Sequence, residues 1–127
     1  MPDKSYELHG VRVLECSAEG KRLRTGRDAV DLMSAMSEHE AALVVIPVER
    51  LDPDFFRLST RIAGEIIQEF VDYRLRLAIL GDISQHLAER KSLRDFVYEA
   101  NRCNHFCFVA SLEELDKRLE RAEPRKA

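Results

Sequence analysis

The sequence predicts an α/β fold: an N-terminal β-hairpin followed by four successive βα units, giving a mostly parallel five-stranded sheet. Three observations carry this expectation. Residues 41–48, AALVVIPV, form an unbroken apolar and β-branched run, which suits a strand covered on both faces, as in a parallel sheet. Residues 75–81, LRLAILG, begin on alternation and finish fully apolar in the same way. Between them Phe55, Leu58, Ile62, Ile66 and Phe70 recur at spacings of three and four, the stripe of an amphipathic helix. Strand, helix and strand in succession imply parallel pairing with right-handed crossovers.

Taken in order, residues 6–16 alternate as a short hairpin, with His9-Gly10 able to supply positive backbone angles at the turn and Val11, Val13 and Cys16 on its second strand. A polar loop over 17–26 leads to Thr25-x-x-Asp28, which has capping-box spacing with Asp in place of Glu. The helix that follows carries Ala29, Val30, Leu32, Met33 and Met36 on one face and ends at Glu38-His39-Glu40. Pro47 removes a donor near the end of the apolar strand. Asp52 is placed to cap a turn whose first residue is Pro53, with Asp54 at its positive end. Ser59 or Thr60 then caps the long helix. Gly64 lies in its middle, where close approach to a strand would explain it. After the strand over 75–81, a polar loop over 85–91 precedes Ser92-x-x-Asp95, read as another capping box. That helix turns Leu93, Phe96, Val97, Ala100 and Cys103 inward. Residues 105–110 form the last strand, and Ser111-x-x-Glu114 caps a final helix with Leu112, Leu115 and Leu119 inward.

The composition sets outer bounds. A chain of 127 residues with 45% apolar and 34% charged side chains is one globular domain over 1–127, with solvated tails expected at 1–4 and 123–127. Its 20 basic and 23 acidic residues are interleaved, so no basic face announces nucleic acid or an anionic membrane surface. The longest apolar run is far short of a membrane span, and the N-terminus lacks the apolar core of a signal peptide. Three cysteines, an odd count, read as reduced thiols of a cytoplasmic protein.

Four longer words then become informative: DPDFF (52–56), IAGEI-x-Q-x-F (62–70), YR-x-R-LAI-x-GD (73–82) and SLRDF-x-YE-x-N (92–101). With these the chain resembles the bacterial domain-of-unknown-function 4180 family over nearly its whole length. The family implies no activity and no catalytic residue. The element order is also similar to the sulfate-transporter and anti-sigma-factor-antagonist (STAS) fold. Bacterial members of that fold are cytoplasmic regulators that bind a kinase or a sigma-factor inhibitor. In them a phosphorylatable serine opens the helix after the central strand. By that resemblance Ser59 and Thr60 are the candidate phosphoacceptors, although the Asp-Ser-Gly type of signature is missing and DPDFFRL is inserted between strand and helix.

Chemistry in an open α/β sheet gathers beyond the C-terminal strand ends. Those ends and the facing helix starts supply a candidate ligand rim of Asp52, Asp54, Arg61, Asp82, Ser84, Ser92 and Asp95. Unpaired donors at such helix starts can receive an anion, and the paired acids are suited to acid–base work or a divalent cation. Cap duty explains the same residues. Cys103, His105 and Cys107 invite a metal reading, but no fourth ligand or paired C-x-x-C stands near, so buried apolar cysteine is the better account. His9, His39 and His86 fall in expected turns or loops and read as solvated. The glycines never cluster into a phosphate cradle. No cofactor or metal is therefore expected.

Arg94, Asp95, Tyr98, Glu99 and Arg102 make the outward face of their helix. A solvated face is the simple account of them; the sharper reading makes Arg94, Tyr98, Glu99 and Arg102 a candidate interface, because Tyr and Arg are favoured in buried contacts. Arg61, Glu65 and Glu69 invite the same reading. The sequence thus points first to a non-enzymatic regulatory module with an unidentified protein partner. Self-pairing into a homodimer through an edge strand fits the fold. The alternative is a small-molecule-binding, hydrolytic or sensor protein with its site at the strand ends.

Overall fold

A computed structural model describes residues 3–102 and 105–122. The hairpin forms around its turn dipeptide: β1 (Lys4–Leu8) and β2 (Val11–Glu15) pair antiparallel with Leu8 opposite Val11. His9 and Gly10 both have positive φ, 49° and 84°, as a two-residue turn that follows the strand twist requires. The helix α1 (Gly26–Glu38) opens on the expected capping box. The Thr25 hydroxyl accepts from the Asp28 N–H, and the Asp28 carboxylate accepts from the Thr25 N–H. Then come β3 (Leu43–Pro47), 3-10 turns at Val48–Arg50, Pro53–Phe56 and Leu58–Thr60, α2 (Ile62–Asp72) and β4 (Arg76–Leu80). Two helices, α3 (Ser84–Glu89) and α4 (Lys91–Ala100), lead to β5 (Phe106–Val109), and α5 (Leu112–Ala122) follows.

The strands lie side by side in chain order, β1 antiparallel to β2 and every later pair parallel. The α/β expectation, with its hairpin and mostly parallel five-stranded sheet, describes this protein. Sequential order with crossovers of one hand places all connecting helices on one face. Leu14, Val44, Ile46, Leu77, Ile79 and Phe108 pack there against Ala29, Met33 and Met36 of α1, Ile66 and Phe70 of α2, and Leu93 and Val97 of α4. The last helix makes no crossover and takes the opposite face. Its Leu115 and Leu119 join Val13, Leu43, Val45, Ala78, Cys107 and Val109. The expected cap holds its start, since the Glu114 N–H donates to Ser111 Oγ at 3.1 Å. The His9 ring meets the Asp116 carboxylate, and Arg118 Nη2 donates to the Asn101 carbonyl at 2.6 Å.

Several local expectations give way to other contacts. The Asp82 carboxylate accepts the Ser84 N–H at 2.9 Å, and this turn starts α3 through the stretch expected to be a loop. As a result α4 begins at Lys91 with Arg90 as its cap residue. Ser92 lies inside its first turn and caps nothing. Ser59 and Thr60 belong to the 3-10 turn before α2, not to its cap; Arg61 takes that place with φ 66°. The Thr60 hydroxyl lies 2.8 Å from the Asp54 carbonyl and 2.7 Å from that of Arg57. It receives the Ile62 N–H only at 3.4 Å, a competition of side chain with helix that threonine commonly sets up. Phe55 and Leu58 sit in the turns that precede α2, where they still pack against the core.

Gly64 approaches no other element: among the described residues, its own helix backbone aside, no atom lies within 4 Å of the point where a Cβ would stand. The close approach occurs instead at Gly81, whose φ is 144° and whose added Cβ would stand 2.7 Å from Val48 Cγ1. His86 is not a solvated loop residue. It sits on α3 with its ring stacked on Phe56, centroids 4.1 Å apart and planes 10° from parallel. Lys4 opens β1, and Asp3 Oδ1 accepts the Ser17 N–H at 3.0 Å. Asp3 and Lys4 are both exposed, and residues 1–2 of the expected tail lie outside the described residues. The inward placement of Cys103 and the tail over 123–127 fall outside the described residues.

Candidate functional site

The C-terminal end of β2 is where the rim becomes concave. Beyond β2 the Cys16 N–H donates to the Val45 carbonyl at 2.9 Å, and the following loop folds back across the strand ends. Leu23 is the anchor. Its N–H donates to the Arg50 carbonyl at 2.7 Å, and its own carbonyl receives the Asp52 N–H at 3.3 Å, a parallel bridge between Leu23 and Leu51. Both leucines are buried, which gives an isolated apolar residue in each polar stretch its reason.

Arg50 fills the space under this loop. Its Nε donates to the Lys21 carbonyl at 2.8 Å, and its Nη1 donates to the carbonyls of Ser17 at 2.9 Å and Glu19 at 3.4 Å. One guanidinium thus gathers three main-chain oxygens. Gly20 makes the wrapping possible: its φ is 133°, and a Cβ there would stand 3.0 Å from Arg50 Cζ.

Next to the guanidinium is a cavity of about 200 Å³ whose lining includes Cys16, Lys21, Leu23, Asp28, Ile46 and Arg50. Asp28 is buried, and burial alone would raise its pKa. The N–H groups of Arg24 and Thr25 at 2.9 and 3.1 Å and the Lys21 ammonium at 3.1 Å outweigh that and hold the carboxyl below its usual range. Burial, assisted by the Asp3 charge, pushes the Cys16 thiol up to about 11, so at neutral pH it is an inert apolar neighbour. Across Cys16 a second concavity of about 310 Å³ is lined by Lys4, Glu15, Ser17, Ala18, Glu19 and Pro47 as well. The first cavity is smaller than the roughly 300–1,000 Å³ of drug-sized ligand sites, and the second sits at their lower limit.

The expected rim residues are dispersed among structural duties. β3 and β4 are neighbours, so Asp52 and Asp82 do follow adjacent strand ends. Asp52 Oδ1 accepts the Asp54 N–H and its Oδ2 accepts from Arg24 Nε, both at 3.0 Å; the Asp54 amide first, then Arg24, holds its pKa down. Asp82 is lowered by the amide and hydroxyl of Ser84. Asp54 stands 3.8 Å from Arg57, and Asp95 pairs with Lys91 at 3.2 Å. Arg61, Ser84 and Ser92 are exposed. The cavities beside Cys16 include none of these seven residues. Arg50, Lys21 and Asp28 were missed by sequence reasoning. Leu23 and Leu51, single leucines in polar surroundings, were the available signal.

The outer face of α4 is exposed as expected. Tyr98 retains 65% of its accessibility, and the Arg102 guanidinium lies 5.8 Å from its ring centroid. Glu99 flanks them in solvent. Arg94 is engaged elsewhere, donating from Nη1 to the Leu87 carbonyl at 2.7 Å and thereby tying α4 to α3. Among the described residues no three His, Cys, Asp or Glu side chains gather closely enough to hold a metal ion. No described helix is long and apolar enough to cross a membrane.

The model of the family described as domain of unknown function (DUF4180) matches residues 8–119. The chain belongs to that family. The match runs from the last residue of β1 to Leu119 of α5, so Cys16, Arg50 and the α4 face lie within the matched stretch. No curated protein and no solved structure matches the chain.

Proposed function

We propose that this DUF4180 protein is a non-enzymatic regulatory module of the bacterial cytoplasm, resembling STAS domains, that works by binding a protein partner. The observation that carries the reading is the Tyr98–Arg102 pair on α4: a large amphipathic ring left exposed, with a guanidinium over it. Tyr and Arg are the side chains that most often anchor protein interfaces. Glu99 supplies a charged flank, and Arg94 ties α4 to α3 through its bond to the Leu87 carbonyl. The rim carboxylates support the same conclusion, because Asp52 and Asp82 are committed to main-chain donors. Of the two candidate phosphoacceptors Ser59 is the better placed, being exposed between Arg57 and Arg61, whereas the Thr60 hydroxyl is engaged with main-chain carbonyls.

Affinity capture of the tagged chain from its native extract, read by mass spectrometry, tests this. A specific partner that is lost on Tyr98→Ala and Arg102→Ala substitution is expected. Capture unchanged by both substitutions would remove α4 as the contact. The second reading, a small-molecule site at the strand ends, is favoured by the cavity beside Cys16 and Arg50. It predicts a ligand-dependent rise in thermal stability that Arg50→Lys abolishes.

A further inference from the structure

The two edges of the sheet are built differently. On β5 the outward N–H of Phe108 donates to Asn101 Oδ1 at 2.7 Å, and Arg118 fixes Asn101 through its carbonyl at 2.6 Å. That edge carries a side-chain cap on the outward donor of Phe108. On β1 no described residue pairs with the outer side. With Leu8 opposite Val11 across a two-residue turn, Leu8, Tyr6 and Lys4 exchange their hydrogen bonds with β2. The N–H and C=O groups of Ser5 and Glu7 are left pointing outward.

We propose that β1 pairs antiparallel with β1 of a second copy about a two-fold axis normal to the sheet, joining the two sheets into one. Such an axis keeps each face on its own side, so the opposed residues must come from the same face of both strands. Three registers then set the outward groups against each other. Ser5 opposite Ser5 places Asp3 opposite Glu7 of the second copy. Glu7 opposite Glu7 sets two carboxylates directly together. Both bring like charges opposite one another, which destabilises a strand pair. The remaining register sets Ser5 opposite Glu7, with Tyr6 on the axis facing Tyr6 and Lys4 facing Leu8. It opposes no like charges.

The same register suits the apolar side. Tyr6 and Leu8 are only half-buried where they pack at the margin of the core under α5, and the Tyr6 hydroxyl, donating to Glu15 Oε1 at 2.9 Å, holds its ring in place. On the axis the two Tyr6 residues form a non-hydrogen-bonded pair, the closer of the two kinds of cross-strand pair. The Lys4 stem lies over Leu8 of the second copy, its ammonium in water. Charged side chains and a short strand ordinarily discourage edge pairing. Here the charges select one register, and a two-fold contact that uses β1 of both copies closes the assembly at a dimer, with Asn101 already on the Phe108 donor of the opposite edge. An interface this short belongs to the small, reversible class.

Sedimentation equilibrium of the intact chain between roughly 1 and 200 μM, the range in which a weak dimer titrates, is expected to show monomer passing to dimer and no larger species. Ser5→Pro removes an outward donor without touching the pairing with β2 and is expected to abolish the dimer at unchanged thermal stability. Under mild oxidation Tyr6→Cys is expected to cross-link two copies, whereas Ser5→Cys and the parent chain are not. If Tyr6→Cys fails to fold, a Lys4→Cys/Leu8→Cys double variant reports the same register. A chain that stays monomeric throughout, a dimer indifferent to Ser5→Pro, or equal cross-linking through Ser5→Cys would overturn the proposal.

Discussion

Replacing Gly81 with alanine sets two separable penalties against the fold. The backbone there has φ 144°, a region held almost entirely by glycine, and forcing a Cβ into it costs about 1–3 kcal/mol. The new methyl would also stand 2.7 Å from Val48 Cγ1 and 3.0 Å from Val48 Cβ, well inside the roughly 3.5–4 Å of ordinary carbon contact. Val48 is β-branched and part-buried, with few rotamers to retreat to, so relieving the overlap adds about 1–3 kcal/mol of overpacking strain. The sum is about 2–6 kcal/mol, a large part of the stability of a typical domain. Urea unfolding of Gly81→Ala, Val48→Ala and the double variant separates the parts. In the Val48→Ala background the overlap with Cγ1 is gone while the 3.0 Å approach to Cβ remains, so Gly81→Ala is expected to lose part of the overpacking penalty, giving a coupling of about 1–2 kcal/mol between the sites. A Gly81→Ala cost below about 1 kcal/mol, or two substitutions that simply add, would refute the reasoning.

Gly64→Ala should do the opposite. With nothing near the added methyl, the helix gains up to about 1 kcal/mol, read as a raised midpoint in the same unfolding series. Arg50→Met removes the group that gathers the carbonyls of Ser17, Glu19 and Lys21. Amide exchange over 17–24 is expected to accelerate, with a loss of about 2 kcal/mol. The Asp28 carboxyl is held low in the folded chain, so its stabilisation is complete above the unfolded aspartate pKa of about 3.9 and is lost as pH falls through the lower folded value. Accordingly Asp28→Asn should lower stability by about 1–2 kcal/mol at pH 6, and the gap to the parent should close in acid. With its thiol pushed up to about 11, Cys16 should react with a disulfide reagent at pH 8 on the order of a hundredfold more slowly than an unperturbed thiol. Mass mapping of the modified cysteine checks this.

Much of the fold was legible because local and long-range preferences agree. His9-Gly10, the Thr25–Asp28 box, Asp52-Pro53 and the Ser111–Glu114 cap each specify one backbone solution, and the apolar runs of β3 and β4 leave no alternative to burial on both faces. The misreadings arise where one side chain has two admissible partners. Asp82 was visible, but not its choice of the Ser84 amide, which starts α3 and displaces Ser92 from cap duty. The Thr60 hydroxyl prefers carbonyls behind it to the helix ahead. Gly64 and Gly81 look equally unexplained in a string of letters, and only the proximity of Val48 tells them apart. The site was the least legible part. Arg50 binds main-chain oxygens, which carry no residue identity, so no spacing of side chains could have announced it.

The two faces of the sheet differ in when they can be finished. Every helix of the first face lies between strands, so that core closes progressively as the chain leaves the ribosome. The second face waits for α5, which is synthesised after all five strands. Until it arrives, Val13, Val45 and Val109 have no helix above them. When it docks, Asp116 reaches the hairpin turn at His9, made about a hundred residues earlier, so α5 completes a surface that the hairpin began. A nascent chain halted before α5 therefore presents a half-built sheet with one oily side, the form of this protein that chaperones would hold and proteases would clear.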